Sequence, residues 1–349
     1  MHPVERAVYK WMSSALLGEQ GNTIIIGCSA GPDSIALVHI LHALALKCHL
    51  RLIAVYVDHG LRPAEIPGER QLVQQTAGKL GLDAEIVEVA AESEAKHYKK
   101  SLEHAARDLR YAALHRMKEH YQADYIAVGH NADDQVEEVL LRLLRGSSRK
   151  ALSAMQQLEN GILRPLLQLS KQTLLNYLAE QRIPFCHDSS NDDHSFLRNR
   201  IRHELLPLLE QKYDPGIRKA LLKTAANLAE DEDFLEGQVQ QLWDQVDVPM
   251  ATSSSPEAMV LSVNRHMVSR YHPALQRRLF ERILWSIGTP ARYEHILAIT
   301  KAVSQGRSGS ELHLSKGLRV AVFRDHIQFS YPRGRAAWRG SLKNEHSRK

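Results

Sequence analysis

The chain has 349 residues, 44% of them hydrophobic and 24% charged; at roughly 150 residues per domain this allows about two domains, and the balance excludes a wholly disordered, collagen-like or coiled-coil protein. The 45 Lys and Arg against 40 Asp and Glu leave a formal charge of +5, too small an excess to name a partner by itself. Apolar runs stay short of a membrane span and the polar start Met1-His2-Pro3 has no signal core, so a cytoplasmic protein with no membrane partner is expected.

Short apolar runs predict strands over Thr23–Cys28, Leu52–Val57, Ala84–Val89 and Tyr125–Val128. Apolar residues three and four apart predict helices over Ser34–Leu46, Glu69–Leu80, Leu102–Tyr121 and Asp133–Arg145. The alternation predicts a doubly wound, mainly parallel α/β sheet, with ligands at the carboxyl ends of its strands. A short strand Ile162–Arg164 follows, then a helix from the N-cap Ser170 to about Gln181, a polar loop His187–His194 and a helix from about Phe196 to Glu210. Pro215 to about Val246 reads as helical, Thr252–Pro256 as a linker, and Glu311–Leu314, Leu318–Phe323 and His326–Tyr331 as three short strands ending a mostly helical second domain. The expected division is a catalytic domain over 1–214, a C-terminal domain over 215–332, and a basic tail over 333–349. That tail sets Arg333, Arg335, Arg339, Lys343, Arg348 and Lys349 against Glu345, and is read as a frayed, solvated terminus.

The strongest local signal is a predicted strand running through Ser29-Ala30-Gly31-Pro32-Asp33-Ser34 into a helix. A tight turn into a helix start aims unpaired N–H groups at one point, which suits a phosphate; the same residues also suit a plain helix cap. The lysine of a Walker A loop is missing, and Asp33 beside a polyphosphate makes sense with a divalent cation. Asp58, in Val57-Asp58-His59-Gly60-Leu61-Arg62-Pro63, either lines a nucleotide pocket or belongs to an ordinary turn. After Gly129-His130-Asn131, four carboxylates crowd one helix start: Asp133, Asp134, Glu137 and Glu138. Capping explains one or two of them; Asp134 and Glu137 share a face, which suits an ammonium substrate or a metal. Arg142 and Arg145, and Arg198, Arg200 and Arg202, fit either an RNA backbone or a solvated helix face. Arg110, in Ala105-Ala106-Arg107-Asp108-Leu109-Arg110-Tyr111, fits a charge stabiliser or a surface ion pair with Asp108 or Glu103.

Other features point to structure rather than chemistry. The 19 histidines show no zinc-ligand spacing and Cys28, Cys48 and Cys186 form no pair, so neither a zinc site nor a disulfide framework is expected. Cys28 reads as a small buried residue, and the few aromatics offer no stacking platform for bases.

The loop Ser29–Ser34 resembles the S-G-G-x-D-S loop of the N-type ATP pyrophosphatases, with Ala30 in place of a glycine. If the turn needs a positive φ there, Ala30 costs strain. Together with Val57–Pro63, Gly129–Met155, Arg164-Pro165-Leu166-Leu167 and Asp188–Pro207, it resembles the tRNA(Ile)-lysidine synthetases over about residues 20–210. The resemblance implies an adenine nucleotide alpha hydrolase-like fold. It also implies ATP and Mg2+, with L-lysine and a tRNA(Ile) bearing a CAU anticodon as the other substrates. In that reaction O2 of the wobble cytosine is adenylated, pyrophosphate leaves, and lysine displaces AMP at C2. By the same resemblance Ser29, Ala30, Gly31, Pro32, Asp33, Ser34, Asp58 and His130 bind ATP, Asp33 through magnesium. Asp134 and Glu137 hold lysine, Asp134 also helping to deprotonate it, Arg110 stabilises developing charge, and Arg142, Arg145, Arg198, Arg200 and Arg202 meet tRNA. A homodimer is compatible with this reading. The rivals are a tRNA 2-thiolation enzyme on the same scaffold, which generally needs paired cysteines or an iron–sulfur cluster, and a non-catalytic ATP-binding regulator.

Overall fold

The computed structural model describes every residue except 16–20, 62, 99–100, 147–151, 154, 187–196, 247–258 and 331–349. The expected loop His187–His194, the linker Thr252–Pro256 and the basic tail lie outside the described residues, as do Arg62, Phe196 and Tyr331.

Six strands, β1 (Asn22–Gly27), β2 (Leu50–Asp58), β3 (Asp83–Glu88), β4 (Tyr125–Ala127), β5 (Leu158–Glu159) and β6 (Ile162–Leu163), form one sheet in the order β3-β2-β1-β4-β6-β5. Every pair is parallel except β5 with β6. The helices between them are α2 (Pro32–Ala45), α3 (Ile66–Leu80), α4 (Ala91–Tyr98), α5 (Leu102–His120) and α6 (Ala132–Leu144). α1 (Pro3–Ala15) precedes the sheet and α7 (Lys171–Glu180) follows it.

Alternation along each strand divides the apolar residues between two faces. Ile24 and Ile26 of β1 enter a core shared with α1, α2 and α7, whereas Ile25 enters a second core with Leu114 of α5. α2 is buried almost all round, from Ile35 to Leu44, so it is fixed by packing rather than by one apolar stripe. Each fully buried side chain such as Ile35 or Leu41 contributes about 1.5–3 kcal/mol. The strand order turns back between β1 and β4, and in such sheets the crevice beyond the carboxyl ends of that pair is the ligand site. The loops emerging there lead into α2 and α6.

The helix expected from Phe196 to Glu210 is broken. α8 (Leu197–Arg200) passes through a π turn, Ile201–Leu205, into α9 (Leu206–Lys212). Pro207 has no N–H for the carbonyl four residues back and its ring collides with it; the helix widens, and the backbone N–H of Leu206 donates to Ile201 O. α10 (Ile217–Trp243) follows.

The chain divides into two compact units, Met1–Ala229 and Glu230–Lys349. The division falls within α10, beyond the expected break at 214/215, because the start of α10 is tied to the first unit: Arg218 bonds Glu210 and Asp133 at 2.8 and 2.7 Å. The second unit carries an antiparallel sheet in the order β7 (Met259–Asn264), β10 (His326–Ser330), β9 (Arg319–Val322), β8 (Glu311–His313). Three helices accompany it, α11 (Arg265–Ser269), α12 (Pro273–Ser286) and α13 (Tyr293–Gln305); Leu279, Phe280 and Ile283 pack with Val320, Ile327 and Phe329. No helix among the described residues is long and apolar enough to cross a membrane.

Candidate active site

The loop from β1 to α2 is held in shape from within. Ser34, buried at 7% exposure, accepts from the Ser29 N–H at 3.1 Å and donates to Gly31 O at 2.9 Å. Ala30 is fully buried with φ 63°, so the left-handed turn that most favours glycine is made here by a residue with a Cβ. The Cys186 N–H fixes its carbonyl at 2.9 Å. No side chain caps the first turn of α2, and Pro32 needs no partner there, which leaves the turn able to meet an anion. Burial pushes the Cys28 thiol up, so it is an inert wall of this loop.

The loop after β4 lies against that turn. A Cβ added to Gly129 would stand 3.1 Å from the backbone of Asp33 and Ser34, so any other residue would push the two loops apart by a few tenths of an ångström. Asn131 then caps α6, accepting from the N–H groups of Asp133 and Asp134 at 2.9 and 3.1 Å, while Asp134 accepts from the Asn131 N–H at 2.9 Å. Asp133 accepts from the backbone N–H of Lys171 at 2.7 Å, and the Lys171 Nζ donates to Asp33 Oδ2 at 2.6 Å. The first turns of α2, α6 and α7 therefore meet at one place, each presenting the positive end of its dipole. Asp33 Oδ1 is buried there without a partner among the described residues. Burial pushes the Asp33 carboxyl up; Lys171 opposes this, Asp134 adds to it, and the nearby Asn131 side chain lowers it again.

The four carboxylates of α6 all have protein partners, those beyond the cap being held by arginines. Glu137, 1% exposed, accepts from Arg198 Nε at 2.9 Å and from Arg202 Nε at 2.6 Å. Both guanidinium groups also lie 3.5 Å from Asp134. Glu138 pairs with Arg142 at 2.7 Å; burial raises its carboxyl, but the Arg142 bond and the charges of Arg142, Arg198 and Arg107 together hold it below the usual range. Arg198, Arg202 and Arg142, expected to face RNA, thus face carboxylates in this state; Arg145 and Arg200 are exposed. Asp58, buried at 5%, accepts from the Gly60 N–H at 2.8 Å through Oδ1 and pairs with Arg70 of α3 through Oδ2, so its carboxylate ties the turn after β2 to that helix.

Around His130 the charge is positive. Burial, then Arg164, Arg198, Arg110 and Arg107, lower its pKa to about 3, so the imidazole is neutral and its buried Nδ1 has no partner among the described residues. Arg110 makes no ion pair among the described residues, its guanidinium carbon standing 6.0 Å from the Tyr111 ring centroid. Burial lowers its pKa first, with Arg107 and Arg198 adding to this against Tyr111 and Asp134. Of these cations Arg198 is paired with Glu137 and Arg164 with Glu159, which leaves the charge of Arg110 for an anion to compensate.

The PP-loop domain model matches residues 2–209. The chain is 32% identical to the tRNA(Ile)-lysidine synthase of Bacillus licheniformis over 94% of this chain and 69% of that protein. With the tRNA(Ile)-lysidine synthase of Thermobifida fusca the identity is 35% over 84% and 87%. The chain belongs to the tRNA(Ile)-lysidine synthase family. Among solved structures, the U34-tRNA thiolase NcsA from Methanococcus maripaludis, with its [4Fe-4S] cluster, shares the fold, with a TM-score of 0.55 at 19% identity over 65% of this chain and 78% of that one.

Lysidine synthase motifs supplied most of the site, but three of its members escaped sequence reading. Lys171 directly follows the N-cap Ser170, and its sequence signal is a cation at a helix N-terminus, where the dipole disfavours one. Arg107 and Arg164 stand inside the stretches Ala105–Tyr111 and Arg164–Leu167, and nothing in their spacing shows that folding brings their charge to bear on His130. Among the described residues no group of three or more His, Cys, Asp or Glu is placed to hold a metal ion by itself.

Proposed function

We propose that this protein joins the side-chain amine of L-lysine to C2 of the wobble cytidine in a tRNA(Ile) with a CAU anticodon, using ATP. The cytosine O2 attacks the α-phosphate and pyrophosphate leaves; the amine then attacks C2, the C2–O bond breaks, AMP departs and the nitrogen gives up its proton. The observation that carries the reading is the meeting of three helix starts at the Ser29–Ser34 loop, with Asp33 Oδ1 buried and unpartnered beside it, in a member of this family.

The first turn of α2 and the hydroxyl of Ser29 take the phosphates. Asp33 fits a magnesium ion, a hard cation that seeks carboxylate and phosphate oxygens and would there offset phosphate charge. Arg110 faces the charge that develops on the base and α-phosphate, and neutral His130 offers a hydrogen bond without adding charge. Asp134 and Glu137 receive the lysine ammonium once Arg198 and Arg202 turn to the incoming phosphates, and Asp134 accepts the proton that the amine loses. Arg145 and Arg200, with Arg142, meet the tRNA backbone.

Replacing Asp33 by Ala is expected to abolish pyrophosphate release in a folded protein. Wild-type release by that variant would remove Asp33 and its cation from the mechanism.

A further inference from the structure

A nucleotide loop without a Walker lysine still needs a cation for the terminal phosphates, and the structure supplies one from elsewhere in the chain. Lys171 opens α7, 138 residues beyond Asp33 in sequence. Its backbone is pinned by Asp133 at 2.7 Å, so only its side chain is free to move, and that side chain is 37% exposed. A lysine at the first position of a helix is disfavoured by the dipole. Here the cost is offset by Asp33, whose Oδ2 receives the ammonium at 2.6 Å while Oδ1 stays unpartnered.

The same carboxylate is the one oxygen donor of the loop suited to a divalent cation. An ammonium and a divalent cation on one carboxylate repel each other, so the two compete. When the cation takes Asp33, the ammonium lies beside the anion-binding turn of α2, within a side chain's swing of its former partner, where a bound phosphate would compensate it.

We propose that Lys171 is the phosphate-binding lysine of this site: it neutralises Asp33 while the loop is empty and passes to the β- or γ-phosphate of a nucleoside triphosphate when a divalent cation takes its place. This rests on the reading of the loop as an ATP site, and on nothing about lysine or tRNA.

Two measurements on the full chain test it. In the wild type, lysine acylation read by mass spectrometry should show Lys171 more reactive with MgCl2 alone and protected by MgATP. In Lys171→Met, Mn2+ binding without nucleotide, followed by electron paramagnetic resonance, should tighten, while ATP affinity in calorimetry should fall by about tenfold or more, the loss of a charged hydrogen bond. Lys171→Arg should recover most of the ATP affinity. A purely structural pair would instead lower the melting temperature of Lys171→Met and leave both affinities unchanged, and that result, or Lys171 unprotected in a wild type shown to bind MgATP, overturns the proposal. Failure of the wild type to bind MgATP would overturn the ATP reading itself.

Discussion

Ala30 holds φ 63° in the turn that leads into α2, and the departure of this loop from the double-glycine pattern becomes a measurable strain. A left-handed alanine costs about 1–2 kcal/mol, whereas glycine would give up a buried methyl worth about 0.8 kcal/mol and gain unfolded-state entropy. Ala30→Gly is therefore expected to stay within about 1 kcal/mol of the parent in thermal unfolding. Ala30→Val, branched at a positive φ in a close-packed place, should lose about 2 kcal/mol or more. Equal losses from glycine and valine would contradict the strain account. His130 offers a second test at this scale. Its folded pKa of about 3 lies below the ordinary 6.5, so the unfolded chain binds the proton first; its contribution to stability is full above about 6.5 and is lost as pH falls toward 3. Nitrogen NMR should find the imidazole neutral at pH 5.5, and a titration near 6.5 would remove the cationic surroundings inferred for it. The substitution at Ala30 was visible in the sequence, but the sign of φ was not, because it depends on how the loop is tied to Cys186 and Ser34.

The helix α6 and the π turn after α8 form one device. In sequence, the carboxylates at 134 and 137 and the arginines at 198 and 202 read as separate features, an ammonium site and an RNA surface. Folding sets them face to face, because helix spacing places each pair on one side, and Pro207 forces the widened turn beside Arg202. Glu137→Gln is expected to act twice. Breaking a buried pair with two arginines should cost about 3–5 kcal/mol in stability, and lysine KM should rise by a factor corresponding to about 1.5–3 kcal/mol with ATP KM unchanged. A folded variant with unaltered lysine KM would leave Glu137 a structural residue only. Element types in the first unit were legible because short apolar runs alternate there with helical patterns of apolar residues three and four apart. β7 was not: its inward residues Leu261 and Val263 are too few to show a period beside a polar stretch. α1 went unread although Val4, Val8 and Met12 repeat at four-residue spacing.

At the scale of the whole molecule, the proposed reaction places its chemistry in the first unit, where the strand order turns back between β1 and β4 and collects the Ser29–Ser34 loop, the carboxylate helix and Lys171 from distant parts of the chain. That convergence explains why motif order along the sequence was informative while individual partnerships were not: motifs mark the ends of strands, and only the topology says which ends meet. The second unit has its own core and its own ion pair, Arg278 with Glu232 at 2.5 Å, and its likeness to the family extends the match beyond the PP-loop domain. The most direct test of the account is AMP release from ATP, with and without lysine and an isoleucine tRNA transcript bearing a CAU anticodon, followed by mass analysis of the wobble nucleoside. The account predicts that AMP forms only with both substrates and that the cytidine gains lysine with loss of its O2 oxygen. AMP formed with the tRNA while lysine never appears on the nucleoside would contradict it.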